Sequence, residues 1–146
     1  MKPCLQAAVF ALMSLAGAVQ AQQASEQGAY TIHFSAMNTS QLTPEIARAY
    51  GIQRSSSLAM LNITVLKKGA DGQQRAVTAV VKASGRNLTG QLREISMREI
   101  REGEAIYYIG VFRVNNMETF DFSVQVTPQG ESRPLEVRFR QQFFTE

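Results

Sequence analysis

From Tyr30 the chain alternates apolar and polar positions, with Tyr30, Ile32 and Phe34 set against Thr31, His33 and Ser35. A period of two sends the two sets to opposite faces of an extended strand, so this run predicts a strand with one buried face. Alternating or β-branched runs follow at 58–66, 76–83, 92–100, 105–114, 119–127 and 135–144. Turn residues separate several of them: Gly69-Ala70-Asp71-Gly72 joins two runs as a hairpin, Asn115-Asn116 marks another turn and Pro128-Gln129-Gly130 a third. Seven strands with mostly short connections predict an all-β fold, an immunoglobulin-like antiparallel sandwich. The Cys…Trp…Cys signature of true immunoglobulin domains is missing, since the chain has no tryptophan.

One connection is long. Between 38 and 55 the alternation stops, and a short helix is expected over 44–50: Thr43 suits the N-cap, Pro44 the first helical position, Glu45 the positive end of the dipole and Gly51 the C-terminal turn. A segment of this length exceeds the usual loop of about 4 to 6 residues and asks for a reason. The run 92–104 is the least regular. Leu92, Ile95, Glu99 and Glu102 would share a helical face, yet no clean apolar stripe appears at either period, and a charged edge strand is the preferred reading.

The N-terminus changes the setting in which this sandwich works. Lys2 precedes a stretch, 5–18, that is apolar apart from Gln6 and Ser14, and Val19-Gln20-Ala21 places small residues where signal peptidase cuts. Residues 1–21 are therefore expected to be a signal peptide cleaved after Ala21, and the protein to be periplasmic or secreted. The apolar stretch is shorter than the roughly 20 residues a spanning helix needs, so no membrane span is expected. The only cysteine, Cys4, leaves with the peptide. The mature chain therefore needs neither disulfides nor a lipid anchor. Residues 22–28 are polar and read as a flexible lead, and 29–146 as one sandwich domain. Loss of Lys2 lowers the formal net charge from +3 by one. So small a charge, on an exported chain, argues against nucleic acid as a partner.

The residues that carry chemistry are sparse. His33 is the only histidine. With Met37, four positions on and on the same strand face, it could belong to a soft copper(I) site, but two ligands on one strand are too few, and a half-exposed strand histidine hydrogen-bonded to a loop is the preferred reading. A zinc hydrolase normally needs three protein ligands rich in histidine, and a serine triad would have to use His33 without a Gly-x-Ser-x-Gly elbow. Glu94, Glu99, Glu102, Glu104 and Asp121 each have an arginine close in sequence and read as a mixed-charge surface. The aromatic residues Tyr107, Tyr108, Phe112, Phe120, Phe122, Phe139 and Phe143 read mainly as core. Asn38, Asn62 and Asn87 head glycosylation acceptor triplets, but Asn62 falls mid-strand and chance matches are the sounder explanation.

The runs Tyr30-Thr31-Ile32-His33-Phe34-Ser35-Ala36-Met37-Asn38-Thr39-Ser40 and Leu42-Thr43-Pro44-Glu45-Ile46-Ala47 carry a more specific message, together with Tyr50-Gly51-Ile52, Arg54-Ser55, Leu61-Asn62-Ile63-Thr64-Val65-Leu66 and Glu102-Gly103-Glu104-Ala105-Ile106-Tyr107-Tyr108. Taken together they resemble the bacterial family called domain of unknown function 4426, across essentially the whole mature chain. The resemblance implies an exported, compact β domain; it brings no catalytic residue, because the family offers none.

These observations favour a periplasmic, non-enzymatic binding or interaction module without a cofactor, whose partner would be another periplasmic or envelope protein. The alternative is a copper-handling protein using His33 and Met37. For the binding module, the long connection is the expected recognition surface, with Asn38, Tyr50 and Arg54 as its polar groups, since loops on a rigid sandwich commonly carry recognition. Leu42, Ile46 and Tyr50, at helical spacing, would alternatively plug one open end of the core.

Overall fold

A computed structural model describes residues 23–146, and the expected signal peptide with its cleavage point after Ala21 lies outside them. Two antiparallel sheets pack face to face. The first has the order β1 (Gln23–Gln27), β2 (Tyr30–Asn38), β3 (Leu58–Lys68), β8 (Ala105–Arg113), β7 (Arg98–Glu102), with β4 (Gln74–Ala76) pairing to the far end of β3. The second runs β10 (Leu135–Gln142), β9 (Thr119–Pro128), β5 (Ala79–Asn87), β6 (Leu92–Ile95). The short helix α1 (Pro44–Tyr50) sits between β2 and β3, inside the long connection, with the cap residues expected for it.

The segment expected to lead flexibly into the domain is partly an edge strand. Gln23–Gln27 pairs with the first residues of β2, Gln27 opposite Tyr30, and Gly28 turns the hairpin with a φ of 61°. Its polar side chains hid the strand, because backbone pairing at an edge needs no apolar face. Gln27 Nε2 also donates to Glu136 O on β10 at 3.0 Å, which joins the open edges of the two sheets.

Two of the expected runs are each divided between the sheets. The run at 76–83 spans β4 and β5 through Val77-Thr78, and the run at 92–100 spans β6 and β7 through Ser96-Met97. A strand that changes sheet changes which parity it buries. Ile95 is buried between the sheets, whereas Ile100 packs on the outer face of the first sheet. This is why neither period fits 92–104.

The second crossing sets a steric demand on β8. A Cβ on Gly110 would lie 2.5 Å from Ile95 Cγ2, 2.6 Å from Met97 Sδ and 2.9 Å from Ser96 O. Only a glycine lets the crossing rest on the strand beneath. Nearby, Tyr108 Oη accepts from the Ala79 amide at 2.8 Å and donates to Glu99 at 2.9 Å, tying the start of β5 to β7. Burial is the main cause that raises the Tyr108 phenol above its ordinary pKa.

Between the sheets lies the core. Ile32, Leu61, Ile63 and Val65 meet Val124 and Val126, all fully buried. At one end five phenylalanines interlock: the Phe112 ring stands edge-on to Phe120, Phe122 and Phe143 at 5.5 to 5.7 Å, and Phe139 stacks on Phe122 at 4.8 Å. Tyr107 departs from the expected core set, for it faces outward under the long connection. Gly110→Ala is expected to cost about 1 to 3 kcal/mol through overpacking, read as a lower midpoint in chemical denaturation; an unchanged midpoint would contradict the crowding at the crossing.

Candidate functional site

The long connection lies over the outer face of the first sheet. Leu42, Ala47 and Ile52 are buried there against Met60 of β3 and Ile109 of β8, with Met37, Tyr50, Ile100 and Tyr107 packed around them. It does not plug an end of the core, and Ile46, expected to help do so, is 42 % exposed. The helical spacing misled because Leu42 precedes the helix and Ile52 follows it. Within the helix the face that meets the sheet belongs to Ala47.

Polar groups fasten this cover from within. Thr43 accepts from the Ile46 amide at 3.2 Å as N-cap. Gly51 ends the helix in the left-handed region with φ 65°, and the Ile52 amide donates to Ala47 O at 2.8 Å. Thr39, fully buried, donates through Oγ1 to Gln53 O at 2.7 Å and accepts from the Ser55 amide at 2.8 Å.

The three residues expected to carry recognition all belong to this fastening. Asn38 is buried, and its Nδ2 donates to Ser56 O at 2.8 Å and Phe144 O at 2.9 Å. Arg54 donates from Nε to Leu42 O at 2.7 Å and from Nη2 to Ser40 O at 3.2 Å, so it clasps the two ends of the connection. Tyr50 donates to Glu102 Oε2 at 2.7 Å, and Arg98 donates to the Tyr50 carbonyl. The hydrogen bond to Glu102, with burial second, pushes the Tyr50 phenol up to about 12. Together the three span the connection, with Asn38 at its root and Tyr50 and Arg54 near its surface.

His33 and Met37 share the outer face of β2, as their parity required, but four residues along a strand separate their Cα atoms by roughly 13 Å at about 3.3 Å per residue. His33 stands opposite Thr64, whereas Met37 stands opposite Met60 and joins the apolar layer under the connection. Sequence reading missed this methionine pair because the β2–β3 register is not visible in either strand alone. Among the described residues no three His, Cys, Asp or Glu side chains are grouped to hold a metal ion.

Of the candidate carboxylates, Glu99 and Asp121 are paired with arginines, as are Asp71 and Glu136. Arg75, Arg101, Arg140 and Arg138 hold Asp71, Glu99, Asp121 and Glu136 respectively, and each of these hydrogen bonds lowers its carboxyl below the ordinary value. Two of the acceptor asparagines are held in the fold. Asn38 roots the connection, Asn87 is buried with Nδ2 bonded to Gln91 and Glu118, and Asn62 has its Oδ1 buried without a hydrogen-bond partner.

The family model described as Domain of unknown function (DUF4426) matches residues 24–146. The chain belongs to this family. A crystal structure of a DUF4426 family protein from Pseudomonas aeruginosa PAO1 is similar, with a TM-score of 0.75 and 29% identity, covering 88% of this chain and 98% of that one. FetP of uropathogenic Escherichia coli strain F11 has a TM-score of 0.61 at 9% identity, covering 85% of this chain and 94% of its own. A copper-bound variant of FetP has a TM-score of 0.58, again at 9% identity, covering 84% and 95%. Likeness at that identity shows the fold alone. No curated protein matches the chain. No helix among the described residues of this DUF4426 protein is long and apolar enough to cross a membrane.

Two isoleucines separate what the cover buries from what it displays. Ile52→Ala is expected to cost about 2 to 5 kcal/mol, while Ile46→Ala stays within about 0.5 kcal/mol of wild type. Equal losses in denaturant titration would contradict the assigned orientation of the helix.

Proposed function

We propose that this DUF4426 protein is an exported, non-enzymatic binding module of the periplasm, and that the outer surface of the connection 39–57 carries recognition. The observation behind this reading is a rigid display. Asn38, Thr39 and Arg54 hold the connection to its own backbone, while Glu45, Ile46, Arg48 and Ala49 of α1 remain exposed above the sheet. A surface fixed before binding loses little conformational entropy when a partner docks. Tyr50 and Arg54 border that surface, and Asn38 anchors it.

Export is supported by the leader pattern at 1–21, and a non-catalytic role by the pairing of Glu99 with Arg101 and of Asp121 with Arg140, which engages two of the five candidate carboxylates. The copper alternative draws on the copper-bound FetP variant of similar fold. In this chain it would need ligands beyond His33 and Met37, because the strand holds those two apart.

The test is capture by a tagged chain beginning at Gln22 in periplasmic extract, compared with an Ile46→Asp, Arg48→Glu double variant. The expected result is one species retained by the wild type and lost by the variant at an unchanged melting temperature. Equal capture by both would remove the connection as the recognition surface. Copper(I) titration is expected to show no stoichiometric binding, and one-to-one binding abolished by His33→Ala would overturn the reading in favour of metal handling.

A further inference from the structure

The outer face of the second sheet, on the opposite side of the sandwich from the connection, has no such cover. Its cross-strand rows follow from the register. Arg140, Asp121, Arg86 and Leu92 lie side by side across β10, β9, β5 and β6, and the next row places Arg138, Ser123, Ser84 and Glu94 in the same order. Two serines directly opposite each other, flanked by long side chains, leave a trough. A groove of about 590 Å³ runs over Ser84 and Ser123 between the arginines, and a second of about 560 Å³ continues it past the same serines. The first is of the size that small organic ligands occupy.

The charges in this groove are unevenly matched. Asp121 is taken by Arg140 through two hydrogen bonds at 2.7 and 2.9 Å. Arg138 is drawn toward Glu136, at 2.7 Å. Arg86 forms no ion pair with a carboxylate among the described residues. Its Nη1 instead donates to Gly90 O at 3.0 Å, which leaves its other guanidinium donors without a carboxylate in ion-pair contact. Ser84, two positions before it on the same face, adds a hydroxyl. Directly across from Arg86, Leu92 is an uncovered apolar side chain, 54 % exposed. On the other side of Arg86 stands Asp121, already paired with Arg140, and Glu94 faces Ser84 in the next row.

We propose that this groove binds a small amphipathic organic anion, with a phosphate or carboxylate head on Arg86 and Ser84 and a short apolar part against Leu92. A guanidinium presents planar donors that match an oxyanion and forms the stronger, charge-assisted class of hydrogen bond. An apolar tail removes Leu92 from water, which the head alone does not do.

Hexyl phosphate, hexyl glucoside and inorganic phosphate distinguish the parts of this proposal in an NMR titration of the folded chain. Hexyl phosphate is expected to shift the Ser84, Arg86 and Ser123 amides and the Leu92 methyls with saturation. Hexyl glucoside leaves them unmoved, and inorganic phosphate binds about tenfold or more weakly. Arg86→Gln weakens hexyl phosphate by about tenfold or more, as expected for losing a charge-assisted donor. Leu92→Ser, should Arg86→Gln not fold, reduces hexyl phosphate binding toward that of inorganic phosphate. Equal shifts with hexyl glucoside would mean apolar adsorption. Equal affinity for inorganic phosphate, or unaltered binding by a folded Arg86→Gln chain, would likewise overturn the proposal.

Discussion

The first sheet is apolar on the face that meets the second sheet and carries a further apolar patch, Met37, Met60, Ile100, Tyr107 and Ile109, on its outer face, and that requires the chain to cover it twice. On β3, Leu61, Ile63 and Val65 point into the sandwich, while Met60, on the other parity, is just as firmly buried. The second sheet covers one face. The connection between β2 and β3 covers the apolar patch on the other, with three apolar residues held by a set of side-chain bonds to backbone carbonyls and amides. Leaving Met60 and Ile109 exposed would forfeit the burial of two large side chains, each contributing about 1.5 to 3 kcal/mol. The length of the connection, too great for a turn, follows from this area.

The residues through which the chain resembles its family take their meaning from the same constraint. Asn38, Thr39, Thr43, Pro44, Gly51 and Arg54 cap, turn or clasp the connection. They identify the fold by fastening its most demanding segment, so their presence marks membership without marking a reaction. Recognition, where this chain performs it, falls to side chains displayed around that fastening and to the uncovered face across the sandwich.

Much of this was legible in the sequence where one rule acted alone. Period-two runs gave the long strands, and Thr43, Pro44 and Gly51 bounded α1 to the residue. The capping signals succeeded because they are local. Reading failed where two elements had to be known together. Gln23–Gln27 is polar and becomes a strand only through β2, the 92–102 run looked irregular because it serves two sheets, and the Met37–Met60 pair needs the β2–β3 register. The groove over Ser84 and Ser123 was invisible for the same reason: each serine is unremarkable until strand pairing sets them opposite each other.

The central claim is that the connection 39–57 is a fastened part of the fold rather than a loop lying on it. Native-state hydrogen exchange tests it most directly, through the amides of Ile52 and Ser55, bonded to Ala47 O and Thr39 Oγ1. If the cover opens only when the sheet beneath it opens, these amides exchange as slowly as those of β2 and β3. Rapid exchange at Ile52 and Ser55 while β2 and β3 stay protected would contradict the account.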